Sequence, residues 1–254
     1  FDDADVDVVL DAMLQCKFRN SGQTCISANR ILVQKGIFDE VASRLADLAA
    51  GLKVASGLEQ GAQVGPLIDR QGFEKVERHV EHARERGAEV LVGGGPAELG
   101  GLFWAPTVMT GVTLDASMSC EETFGPVAGL IPFDDEAAAI ASANDTPYGL
   151  SAYFFTRDLA RAQRVGEALD TGIVAVNTGL SYLSEDSDFE RTRDESHKTQ
   201  QLLHYMGPEI SIASPDNKNL ELFVRWHHRS GVFGLFDGIY SGSTFLSGGV
   251  RVRF

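Results

Sequence analysis

The chain has 254 residues, 43% hydrophobic and 23% charged, the make-up of a soluble globular protein with length for one large domain or two smaller ones. Its net charge of −14 argues against nucleic acid and anionic membrane surfaces as partners, and no apolar run approaches the ~18 residues of a membrane span. Cys16, Cys25 and Cys120 form neither a metal-ligand spacing nor an even disulfide set, and no basic, apolar-cored leader is visible, so a reduced cytoplasmic setting is expected. The chain opens on Phe1 in mid-pattern, as a fragment would.

Taken in chain order, residues 5–17 place Val8, Val9, Leu10, Met13 and Leu14 at helical spacing, with acidic residues in the first turn. Ile31-Leu32-Val33 reads as a short buried strand, and residues 38–52 as a helix with Val41, Leu45, Leu48 and Leu52 on one face. Residues 69–86 form a longer, charged helix stopped by Gly87, on which His79 and His82 are expected to face solvent. Strands are predicted at 89–92, 104–108 and 127–133, then a helix at 136–143. Extended segments at 150–155 and 173–176 flank a helix at 159–169. Strands alternating with helices of this length predict an α/β layered domain with a largely parallel sheet.

Near residue 180 the character changes. Acidic residues far outnumber basic ones before it and nearly balance them after it, and the tail is aromatic-rich and free of cysteine. Two domains are expected, 1–180 and 181–254. Within the tail, 184–197 reads as loop or frayed helix, and 220–226, 232–240 and 250–254 read as strands between glycine-rich turns.

The chemistry concentrates in two segments. Phe18-Arg19-Asn20-Ser21-Gly22-Gln23-Thr24-Cys25 puts a thiol at the end of a polar, glycine-containing turn, between a helix and a strand. There a cysteine is both exposed and within reach of backbone amides, and its thiolate is a strong nucleophile toward carbonyl groups. Glu121-Glu122-Thr123-Phe124-Gly125-Pro126 lies about 100 residues downstream and turns into the strand at 127. An isolated cysteine is more often a packing residue, and an isolated glutamate pair a solvated loop. Their joint presence reverses both readings.

Together these segments closely resemble the aldehyde dehydrogenase superfamily, nearest its succinate-semialdehyde branch. The segments at 65–68, 144–150 and 172–178 are similar to further recurring family segments. The resemblance covers residues 1 to about 180. It implies a three-layer α/β catalytic domain of aldehyde dehydrogenase type, truncated and carrying an atypical C-terminal extension. It implies Cys25 as catalytic nucleophile passing through a thioester, Arg19 as the grip on a substrate carboxylate, and Glu122 and Phe124 as contacts to NAD or NADP. A small aldehyde is the implied partner, and the family forms homo-oligomers. Upstream, the resemblance places the dinucleotide-binding half, a glutamate base and an oxyanion-hole asparagine outside this chain. Weak or no activity of the fragment is therefore expected. Ser27 stands where some members carry a second cysteine, so that redox pair is unavailable. Two other readings stay open: a non-catalytic subunit-interaction module, and a thioester hydrolase in which a distant histidine serves Cys25.

Overall fold

The computed structural model describes residues 1–178 throughout and, beyond them, backbone strands at 203–206, 209–213, 220–231 and 243–252. It divides into two compact units, Phe1–Leu180 and Ser181–Phe254. The first unit runs α1 (Val6–Met13), β1 (Ile31–Gln34), α2 (Phe38–Ala50), α3 (Arg70–Glu85), β2 (Glu89–Val92) and β3 (Thr107–Thr110). It continues with α4 (Ser117–Cys120), β4 (Val127–Phe133), α5 (Glu136–Asn144), β5 (Ser151–Phe154), α6 (Leu159–Ala168) and β6 (Ile173–Val176). Four of the helices start on an aspartate. Asp5, Asp69, Asp135 and Asp158 each accept from a backbone N–H of the first turn, satisfying donors the helix leaves unpaired.

One sheet has the order β1–β4–β3–β2, parallel at β1/β4 and β3/β4 and antiparallel at β2/β3. β5 and β6 form a separate parallel pair. The central strand β4 is buried on both faces, which is why it reads as a continuous apolar run rather than an alternating one. Its residues divide by parity. Val127 and Ile131 join Val76, Val80 and Trp104 on the α3 side, while Ala128 and Leu130 join Val41 and Leu45 on the α1–α2 side. Gly129 belongs to the α3 face, where a Cβ would lie 2.8 Å from Met118 Cε. Helices on both faces of the sheet give the three-layer α/β arrangement expected from the sequence. Among the described residues, no helix is long and apolar enough to cross a membrane.

Three predicted elements change. The helix over 5–17 is α-helical only to Met13, and Leu14–Phe18 continues it as a π-helical turn. The strand expected at 104–108 starts at Thr107, because Pro106 has no N–H to pair and Trp104 turns into the core, donating from Nε1 to Thr107 Oγ1 at 3.1 Å. The short helix α4 was not foreseen.

The second unit contains β7 (Leu203–Met206), β8 (Glu209–Ala213), β9 (Leu220–Gly231) and β10 (Ser243–Val252), with β9 pairing antiparallel to the other three. The strand expected at 220–226 lies within β9, and the one at 250–254 overlaps the end of β10. The segments at 184–197 and 232–240 lie outside the described residues.

One close backbone contact joins distant parts of the first unit. Gly22 has φ +72°, and a Cβ there would lie 2.1 Å from Gly125 O. Gly61 has a similar φ of +79° but open space around it. Gly61→Ala therefore carries only the left-handed penalty, about 1 kcal/mol. Gly22→Ala adds a collision with backbone that cannot move aside, and costs about 3 kcal/mol or more. Urea unfolding of both variants separates strain from clash; equal losses would contradict the Gly22–Gly125 contact.

Candidate active site

The turn before Cys25 is unusual backbone. Asn20 (φ 51°, ψ 32°), Ser21 (φ 57°, ψ 31°) and Gly22 are consecutively left-handed. For side-chain-bearing residues that conformation costs roughly 1–2 kcal/mol each, so the surroundings must impose it. They do so through hydrogen bonds. Asn20 Nδ2 donates to Gln23 O at 3.0 Å, and Gln23 N returns a bond to Asn20 O at 3.0 Å. Ser21 Oγ donates to Gly65 O at 2.9 Å. Gln23 accepts from Ile68 N through Oε1 at 2.8 Å and donates to Pro66 O through Nε2 at 3.3 Å. The Gly65-Pro66-Leu67-Ile68 segment thus acts as a cradle for the nucleophile turn, with Leu67 buried in the core below.

Asn29 joins the turn to the glutamate motif. Its Nδ2 donates to Met118 O and to Glu121 O, both at 2.8 Å, and its Oδ1 accepts from Thr123 N at 2.9 Å. With the Gly22–Gly125 approach, two segments almost 100 residues apart are fixed against each other at both ends. Gly125 in turn leaves no room for a Cβ against Val76 of α3, 2.5 Å away.

A cavity of about 490 Å³ opens beside this junction, and Cys25 and Glu122 both line it. Cys25 and Glu122 are both exposed. Arg19 and Phe124 do not line this cavity. Arg19 caps the π-helical turn, partly exposed. Phe124 is left-handed (φ 54°), with Lys75 Nζ 5.9 Å from its ring centroid. Asn177 bonds through both ends of its amide to Thr156 at 2.9 Å, tying β6 to the chain after β5.

Three residues gain roles that the sequence reading did not give them. Asn29 is the first. The second is Lys17, 2% exposed, which lines the cavity. Burial lowers its pKa to about 8, opposed by the charges of Cys16 and Glu122. Its position was legible, since it follows Leu10 by seven residues on the buried stripe of the helix. The third is His79, 3% exposed, against the expectation that it faces solvent. It stands three residues after Val76 and four before Ala83, both buried, so helical spacing turns it inward. Its Nδ1 lies 3.1 Å from Thr123 Oγ1 and its Nε2 3.5 Å from Glu121 Oε2, and burial lowers its pKa. His82, half-buried, accepts from Ser117 N at 3.0 Å. Neither His79 nor His82 lines the cavity.

The buried ammonium makes a pH-dependent prediction. Between about 8 and 10.5 the unfolded chain holds the Lys17 proton more readily than the folded one, so stability rises with pH across that window. Lys17→Met removes the penalty and raises the melting temperature at pH 7, by up to roughly 3 kcal/mol in stability. The gain shrinks toward zero above pH 10.5; an equal gain at both pH values would contradict it.

Comparison with known proteins identifies the family. The family model described as "Aldehyde dehydrogenase family" matches residues 1–189. The chain is 51% identical over 180 residues to the NADP(+) succinate-semialdehyde dehydrogenase of Escherichia coli, and 48% identical over 180 residues to glutarate-semialdehyde dehydrogenase of Pseudomonas aeruginosa. Each alignment takes in 71% of this chain and 37% of the relative, so the chain spans little more than a third of their length. A crystal structure of an E. coli NADP-dependent enzyme superposes with a TM-score of 0.71 at 49% identity, covering 73% of this chain and 39% of that one. With a matching family model over most of its length, and relatives and a solved structure that agree, the chain belongs to the aldehyde dehydrogenase family.

Proposed function

We propose that residues 1–180 form the catalytic domain of an NAD(P)-dependent enzyme that oxidises succinate semialdehyde, or a semialdehyde of similar length, to the carboxylate. The observation that carries this reading is the placement of Cys25 and Glu122 on one cavity, held in register by Asn29. In this reading the Cys25 thiolate adds to the aldehyde carbon and forms a hemithioacetal. The Cys25 backbone N–H donates to the developing oxyanion. Loss of hydride from that carbon leaves a thioester on Sγ, which water hydrolyses to the acid.

NAD or NADP, when bound, supplies the hydride acceptor. Glu122 fits it at one end, since an ionised carboxylate accepts from two ribose hydroxyls and lines the same cavity as Cys25. Phe124, turned by its left-handed backbone, is proposed to lie against the nicotinamide side. Arg19 is proposed to hold the substrate's distal carboxylate through paired, charge-assisted bonds. The names of the two relatives support it, because both semialdehydes carry a carboxylate remote from the aldehyde. Three free cysteines fit a reduced, cytoplasmic setting.

Residues 1–254 alone are proposed to turn over weakly, in keeping with a span of 37% of the relatives. Of the described residues lining the cavity, Glu122 and Asp170 are the only carboxylates, and both nucleotide contacts come from one motif. Incubating the purified chain with NADP⁺ and succinic semialdehyde, and following reduced nucleotide, tests both parts. Slow turnover that falls at least 100-fold in Cys25→Ser is expected. Turnover unaffected by Cys25→Ser would overturn the assigned nucleophile, and a rate of about 1–10 s⁻¹ would overturn the weak-activity reading.

A further inference from the structure

One turn of helix α3 meets the glutamate motif at four residues. His79 Nε2 lies 3.5 Å from Glu121 Oε2, and its Nδ1 lies 3.1 Å from Thr123 Oγ1. Lys75 Nζ stands 5.9 Å from the ring centroid of Phe124. A Cβ on Gly125 would lie 2.5 Å from Val76. Among residues 121–126 it is Glu122 that lines the cavity with Cys25.

This division follows from backbone geometry. Glu121 is extended (φ −125°, ψ 150°), and successive side chains of an extended segment point to opposite sides. A ring that engages residues 121 and 123 therefore turns residue 122 away from α3. Asn29 grips the same segment along its backbone edge, through Glu121 O and Thr123 N. Backbone bonds lie in the plane of an extended chain and side chains stand across it, so edge and face are held separately. Asn29 alone would let the segment swing about that edge, and the imidazole stops the swing.

The bonding also fixes the ring's proton. The Glu121 carboxylate only accepts, so Nε2 carries the hydrogen toward it. Burial lowers the pKa of His79, against the opposing pull of Glu121, so the ring is neutral at neutral pH and Nδ1 is left as an acceptor. Lys75 and Arg78 on the same helix add to the resistance to a charged ring. Thr123, 1% exposed, then donates its Oγ–H to Nδ1.

We propose that His79 is a positioning residue for the nucleotide: as the Nε2–H tautomer, bridging Glu121 and Thr123, it keeps the Glu122 carboxylate turned toward the ribose. This rests on the reading of Glu122 as the ribose contact. His79 does not line the cavity and acts through Glu122.

Two measurements test it separately. Nitrogen NMR of the histidine rings, assigned by the signal lost in His79→Phe or His79→Gln, should show Nε2 protonated and Nδ1 bare at neutral pH. The Nδ1 signal should move in Thr123→Val. A proton on Nδ1, or a ring indifferent to Thr123→Val, would overturn the bridge whatever the nucleotide does. In the slow turnover of the full chain, His79→Phe should raise KM for NADP⁺ at least fivefold, with KM for succinic semialdehyde unchanged. In a Glu122→Gln background the same substitution should change KM for NADP⁺ less than twofold, because the group it positions is gone. Thr123→Val, which keeps the volume, should raise that KM in the same direction and carries the test if His79→Phe does not fold. A fall in kcat with KM for NADP⁺ unchanged is what a merely structural histidine gives, and would overturn the positioning role. A KM that Glu122→Gln leaves unmoved would overturn the ribose contact itself, with the ring measurement still deciding the bridge.

Discussion

The site depends on one side chain that crosses from the nucleophile segment to the glutamate motif. Asn29 spends its whole amide on three backbone partners, two carbonyls and one N–H, all between residues 118 and 123. Aspartate has the length but lacks the donors, and glutamine has the groups but is one methylene longer. The Asn29 bonds and the Gly22–Gly125 contact both tie the loop bearing Glu122 to the nucleophile turn. Each hydrogen bond contributes about 1 kcal/mol net, and the larger cost of losing Asn29 is the buried partners left unpaired.

Around that link the fold stores strain where the chemistry is proposed. Three consecutive left-handed residues, a π-helical turn and a buried ammonium all fall between residues 14 and 22. Features of this kind cost stability and persist only when the surroundings impose them. Here Gly65, Pro66 and Ile68 hold the turn from below, and the buried core fixes Leu67. The buried His79 does the same for the second motif from helix α3, facing Thr123 and Glu121 on either side of Glu122.

The layered fold was legible because it rests on local pattern: apolar periodicity for α2, a charged helical run stopped by Gly87 for α3, and strands alternating with helices. The thiol and the glutamate motif were also legible, as short segments with distinctive chemistry. What joins them was not. Asn29 reads as one polar residue among several until the fold brings residue 121 beside it, and the bond pattern is set by tertiary contact. His79 could have been found, since it occupies a buried helical position, but the charge around it pointed the reading outward, and Lys17, also buried, was given no role. The start of β3 was misplaced because an apolar segment was read without weighing that Pro106 cannot pair. Arg19 and Phe124 stand apart from the cavity, and their roles rest on resemblance.

Amide hydrogen exchange in Asn29→Ala tests the coupling of the two segments most directly. The account predicts faster exchange at Thr123, which loses its acceptor, and together with it at Gln23 and Ser27, whose bonds to Asn20 O and Thr24 O close the nucleophile turn. Exchange in β3 and β4 should stay unchanged. Loss of protection at Thr123 alone, with Gln23 and Ser27 as slow as in the parent, would show that the nucleophile turn stands independently and would contradict the account.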